Sequence, residues 1–162
     1  MRMVKCHDIN EKRPMKESYK AENGKYYTSE QAYEKILHDR EMREKCYDIY
    51  KKWFNIPDDL MCSTYWMKTV KNYEKYTYDI LYATLLQIED DIQYAITNKT
   101  FKTETNTIQY INAIISNNIN DVWKQDKAKK INEKRAKSQS FYLADDEIPT
   151  IKQKTHDISQ FL

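Results

Sequence analysis

Glycine is almost missing from this chain of 162 residues, which has one glycine and three prolines; ordinary usage is roughly 7% and 5%. Glycine-rich phosphate loops, dinucleotide-binding turns and many-turned β-sandwiches depend on residues that accept positive φ, so their raw material is lacking. Charge of one sign is missing too. Lys plus Arg number 27 and Asp plus Glu 25, for a net charge of +2. A purely electrostatic nucleic-acid or membrane binder is usually more lopsided. No apolar run approaches the roughly 18 residues that span a bilayer, and the opening Met1 to Asp8 has no apolar signal-peptide core. The cysteines, Cys6, Cys46 and Cys62, are odd in number and far apart. That pattern suits reduced thiols and a cytoplasmic address.

What is present points to helices. The length suits one domain with appended arms and is enough to bury a core without staples. The sequence predicts a mainly α protein: a bundle of three to four helices, a small N-terminal β-hairpin and an extended C-terminal tail. Residues 1–27 form the arm and hairpin, because Asn23-Gly24 tolerates the positive φ of a tight turn. Val4 to Cys6 is a candidate neighbouring strand. Residues 28–137 form the helical domain. Its first helix starts at a Thr28-x-x-Gln31 capping box and stops at Asn55-Ile56-Pro57. A second helical stretch follows an early break, with Ser63 or Thr64 as its cap. From Tyr73 to Ile96 apolar residues recur every three or four positions, the period of one amphipathic helix. The last helix opens near Thr105 or Thr107 and carries Ile108, Ile111, Ile115, Ile119 and Val122. After Trp123 its apolar stripe gives way to a basic extension. Residues 138–162 show no sustained period and form the tail.

Chemistry is sparse. A structural zinc site needs four N or S ligands, usually as two close pairs; Cys6-His7 has no second pair, so no metal and no cofactor is expected. Glu89-Asp90-Asp91 are successive helical residues that point in different directions, and Asp58-Asp59 suit helix capping. Neither they nor His38 belong to a catalytic motif, and no enzyme activity is expected. Aromatic residues make 13% of the chain, with 14 tyrosines. Tyr65, Trp66, Tyr73 and Tyr76 lie among Lys68, Lys71 and Lys75. Such a cluster serves as a tyrosine-rich core, a protein-binding face or a stacking platform for single-stranded nucleic acid. Lys124, Lys127, Lys129, Lys130, Lys134, Arg135 and Lys137 form the best electrostatic footprint for phosphates. Ile158, Phe161 and Leu162 end the tail with apolar groups that are costly to leave bare, so docking is expected of them.

The abundance of Lys, Asn, Ile and Tyr suits an AT-rich genome. The segment Lys25-Tyr26-Tyr27-Thr28-Ser29-Glu30-Gln31-Ala32-Tyr33 resembles the entry of small accessory proteins encoded by phages and prophages of low-GC Gram-positive bacteria. The isoleucine-rich Ile108 to Val122 helix and the closing Asp157-Ile158-Ser159-Gln160-Phe161-Leu162 resemble theirs in the same order. In some relatives the N-terminus looks like a zinc ribbon; here only Cys6 remains. The resemblance implies a setting: action on nucleic-acid machinery or on host defence. The expectation is a non-enzymatic protein that binds and inhibits a host nucleoprotein or defence nuclease, such as a CRISPR effector, by occlusion. The alternative is a DNA- or RNA-binding accessory protein of phage replication or recombination.

Overall fold

Asn23-Gly24 turns the chain as its residue types require. Gly24 has φ +77°, and the Lys25 N–H donates to Asn23 Oδ1 at 3.0 Å. The turn joins β3 (Tyr19–Lys20) to β4 (Tyr26–Tyr27). The hairpin is half of a larger sheet. β1 (Met3–Cys6) runs parallel to β4 through Cys6 and Tyr26, and β2 (Glu11–Pro14) runs antiparallel to β1, in the order β2-β1-β4-β3. The computed structural model describes the backbone of residues 2–145 and the side chains of residues 2–138.

The sheet is fastened to helix α1 (Glu30–Phe54). Tyr27 packs on Tyr33 with ring centroids 4.8 Å apart. Asp8 accepts from both the Thr28 N–H, at 3.1 Å, and the Thr28 hydroxyl. Thr28 is therefore committed to the sheet side, and the expected Thr28 cap is corrected to Ser29, whose Oγ accepts from the Ala32 N–H at 3.1 Å. At the other end Asn55 takes the left-handed conformation, φ 51°, and the Ile56 N–H returns to the Lys51 carbonyl at 2.9 Å. This is the αL stop that satisfies free carbonyls ahead of a proline.

Helix α2 (Thr64–Asn72) is capped by Ser63, whose Oγ accepts from the Tyr65 N–H. The single helix expected from Tyr73 to Ile96 is broken twice. After the 3-10 turn Glu74–Tyr76 the chain bends at Thr77, then forms α3 (Tyr78–Gln87) and, past Ile88, α4 (Glu89–Asn98). The apolar period survives the breaks because each piece turns its own stripe inward; Ile80, Leu81, Leu85, Ile88 and Ile92 are all buried. Thr77 has φ 70° and ψ 151°, a region almost reserved for glycine, costing a β-branched residue about 1–3 kcal/mol. Thr77→Gly is expected to stabilise the protein by about 1 kcal/mol after glycine's own entropy loss, read as a higher urea midpoint. A lower midpoint would show that the Thr77 side chain contributes more than its backbone strain costs.

Helix α5 (Glu104–Asp145) begins one residue before the expected Thr105, with Thr103 Oγ1 accepting from the Asn106 N–H at 3.2 Å. Five α-helices thus stand among the described residues, more than the three to four expected. α5 continues through Asp145, so Ser138–Asp145 is helical and the extended tail expected from Ser138 is corrected there. The rest of that tail lies outside the described residues. The chain divides into two compact units, Met1–Lys124 and Gln125–Leu162. The core of the first is built from α1 to α5 around Tyr50, Trp66, Val70, Leu85, Ile92 and Ile115, each 0% exposed. Among the described residues no helix is long and apolar enough to cross a membrane.

Candidate functional site

The aromatic cluster divides by helical phase. On α2, Trp66, Thr69 and Val70 face inward, and Tyr73 follows at the i+7 position from Trp66; all four are buried. Trp66 stacks on Tyr50 at 5.1 Å, meets Trp53 edge-on at 5.8 Å, and donates Nε1–H to the Cys46 carbonyl at 3.1 Å. The Tyr73 hydroxyl sits among Asn112 Oδ1 (2.6 Å) and Ser116 Oγ (2.7 Å) on α5. Trp66 and Tyr73 are therefore core residues, which corrects their assignment to a partner-binding surface and removes the stacking platform. Tyr76 is half-buried, its hydroxyl donating to Asn120 Oδ1 at 2.8 Å. Tyr65 alone of the four points outward, 54% exposed.

An exposed apolar pair lies one segment earlier, where the sequence suggests no site. Between the end of α1 and the cap of α2, Pro57 to Leu60 forms a turn closed by the Leu60 N–H to the Pro57 carbonyl at 3.0 Å. The turn lifts Leu60 and Met61 into solvent at 53% and 81% exposure. These two residues border a shallow cleft floored by Tyr47, Cys62 and Met67 and rimmed by Glu44, Asp48, Asp58 and Asp59 against the single cation Lys51. Lys51 Nζ is turned toward the Asp58 carbonyl, 2.8 Å away. The arrangement is an apolar knob in an acidic collar. Two adjacent apolar residues inside an acidic, proline-marked loop were the signal in the sequence that could have found it.

The basic run is exposed throughout on α5. Lys124 pairs with Asp121 at 3.5 Å in the first unit. In the second unit, Lys127, Lys130, Lys134 and Lys137 fall at i, i+3, i+7 and i+10, one face of a helix; Lys130 also meets Asp126 at 2.7 Å. Lys129 and Arg135 lie off that stripe. Ile158, Phe161 and Leu162 lie outside the described residues.

Other titratable groups tie elements together or are buried. His38 Nε2 contacts Asp79 Oδ1 at 2.8 Å, tying α1 to α3, and Glu89 pairs with Lys52 at 2.6 Å. Cys6, Cys46 and Cys62 are free and buried. Burial, aided by Asp79, pushes the Cys46 thiol up to about 12, so Cys46 is a poor nucleophile. Among the described residues no group of three or more His, Cys, Asp or Glu could hold a metal ion.

Residues 6–160 match the family model described as SPbeta prophage protein YorH. The chain belongs to that family. No curated protein matches it, and no solved structure does. This membership makes it a prophage protein, and the match runs from the last residue of β1 through the helices and the basic run.

Proposed function

We propose that this prophage protein is a non-enzymatic accessory factor that binds and inhibits a host nucleoprotein or defence nuclease, as anti-CRISPR inhibitors do, by occluding its nucleic-acid surface. The observation that carries this reading is the Leu60–Met61 knob within its collar of four carboxylates. Methionine and tyrosine are favoured in interface centres, and a carboxylate collar complements the basic surface that a nucleoprotein presents to phosphates. A standard partner face needs roughly 800 Å² per side, within reach of a first unit of this size. The lysine stripe on α5 favours a second reading, direct binding of DNA or RNA, because four cations over eleven helical residues span about 15 Å of phosphate backbone.

One experiment separates the two. A tagged full chain is used to capture partners from low-GC host lysate with and without nuclease treatment, over a salt series. On the first reading a stoichiometric protein survives nuclease and moderate salt, and Met61→Ser with Tyr65→Ala weakens its capture at least about 30-fold. On the second, only nucleic acid is recovered. It falls away steeply as salt rises, and replacing Lys127, Lys130, Lys134 and Lys137 by Gln lowers the salt slope by about one for each phosphate no longer neutralised. Recovery of that kind alone would sink the inhibitor.

A further inference from the structure

A second cleft, sharing Tyr47 and Met67 with the cleft beside the knob, lies between α1 and α2 and is cationic. Thr64, Lys68 and Lys71 stand at i, i+4 and i+7 on one face of α2, with Arg43 of α1 opposite and Glu74 and Tyr78 closing the end. Its lining carries three cations against one carboxylate, in a space of about 320 Å³, the lower end of the range for small-molecule sites. Neither Lys68 nor Lys71 pairs with a carboxylate among the described residues. The carboxylate that Arg43 reaches is the exposed Glu44, at 3.7 Å, an ion pair of little strength. The Arg43 Nε–H is buried with no acceptor among the described residues. A buried guanidinium N–H without a partner is costly, and the Arg43 residue that carries it lines a cleft with cationic charge to spare.

We propose that this cleft binds a phosphoryl dianion of nucleotide size, Arg43 supplying the planar fork of donors, Lys68 and Lys71 the charge, and the Thr64 hydroxyl a further donor. An arginine fork matches phosphate in two parallel hydrogen bonds, which a lysine cannot reproduce. Tyr47 and Met67 line the remaining wall with apolar surface, suited to a flat ring carried by the phosphate. This site does not depend on the occlusion reading: it adjoins the knob's cleft through Tyr47 and Met67, but its cations Arg43, Lys68 and Lys71 belong to neither the knob nor the carboxylates of the collar.

The test is thermal melting of the full chain in inorganic phosphate, in adenosine monophosphate and in a short single-stranded oligonucleotide, each against sodium chloride of matched ionic strength. Phosphate and the mononucleotide are expected to raise the melting temperature saturably, as a ligand of the native state alone does. Arg43→Lys is expected to weaken binding about tenfold, and Lys68→Ala with Lys71→Ala to abolish the rise. Both lysines are exposed, so the double variant keeps its fold and its melting in chloride serves as the control. A rise no larger than that of matched chloride, or one that persists in the double variant, would overturn the site. So would a rise given by the oligonucleotide alone, which would assign the cations to a polymer backbone instead. Capture of a protein partner is unaffected by either failure.

Discussion

Trp66→Ala is expected to lower the unfolding free energy by about 3–5 kcal/mol, the cost of emptying a large buried aromatic site. The ring is 0% exposed and contacts Tyr50 and Trp53 on the facing helix. The indole N–H also donates to Cys46, so the change removes packing and a hydrogen bond together. Trp66→Phe keeps most of the stack and loses the donor, for a smaller cost of about 1–2 kcal/mol. Tyr65→Ala, one residue away on the solvent side, is expected to fall within about 0.5 kcal/mol of the parent. Urea unfolding followed by circular dichroism checks all three. Equal midpoints for the Trp66→Ala and Tyr65→Ala proteins would mean that α2 packs by another face.

The same pair separates fold from function. If both variants lose a partner, only the Tyr65 result bears on the interface, because Trp66→Ala acts through the population of folded protein. A surface argument built on Trp66 alone would mistake instability for recognition. Partner capture therefore has to be scored on Met61 and Tyr65, whose side chains add little to the core.

Much of the fold was legible because local chemistry and tertiary need agree. Asn23-Gly24, the Asn55 stop and the isoleucine stripe of α5 each state a backbone or packing requirement within a few residues. What stayed hidden depends on distant partners. Glu11–Pro14 has three charged residues and no alternation, so β2 exists only because β1 lies beside it. Thr28 looks like a cap, yet Asp8, twenty residues earlier, claims both its N–H and its hydroxyl. The breaks at Thr77 and Ile88 preserve the apolar period and leave no mark in it. Trp66 was misplaced for a different reason. Tyrosine and tryptophan suit interfaces and cores alike, and composition cannot choose between them, whereas the spacing Trp66, Thr69, Val70, Tyr73 already described an inward face. The acidic collar was hidden because Glu44 and Asp48 come from α1 while Asp58 and Asp59 come from the loop.

Alkaline pH is expected to unfold this protein well before its surface charges alone would. Burial holds the Cys46 proton up to about 12, against an ordinary 9.0. Burial also raises the Tyr50 phenol, aided by its hydrogen bond to Glu104 and that group's charge. Tyr73, Tyr78 and Tyr47 are raised by burial as well. Below pH 9 folded and unfolded chains both keep these protons, and the full stability is present. Above it the unfolded chain gives up the Cys46 proton while the folded chain retains it. The unfolded state then binds fewer protons and stability falls as pH rises. Three pH units of such a difference are worth about 4 kcal/mol from Cys46 alone by pH 12. The buried tyrosines add to the loss from about pH 10 upward. Against a total stability of roughly 5–15 kcal/mol, cooperative unfolding should arrive between about pH 10 and 12. Tyrosinate absorbance and circular dichroism should then change together in one steep transition. Cys46→Ala should flatten the slope of stability against pH between 9 and 12, whatever it does to the value at neutrality. A gradual tyrosine titration with unchanged circular dichroism would show that these phenols reach water in the native state, and that the core around Tyr50 and Trp66 is looser than its packing implies.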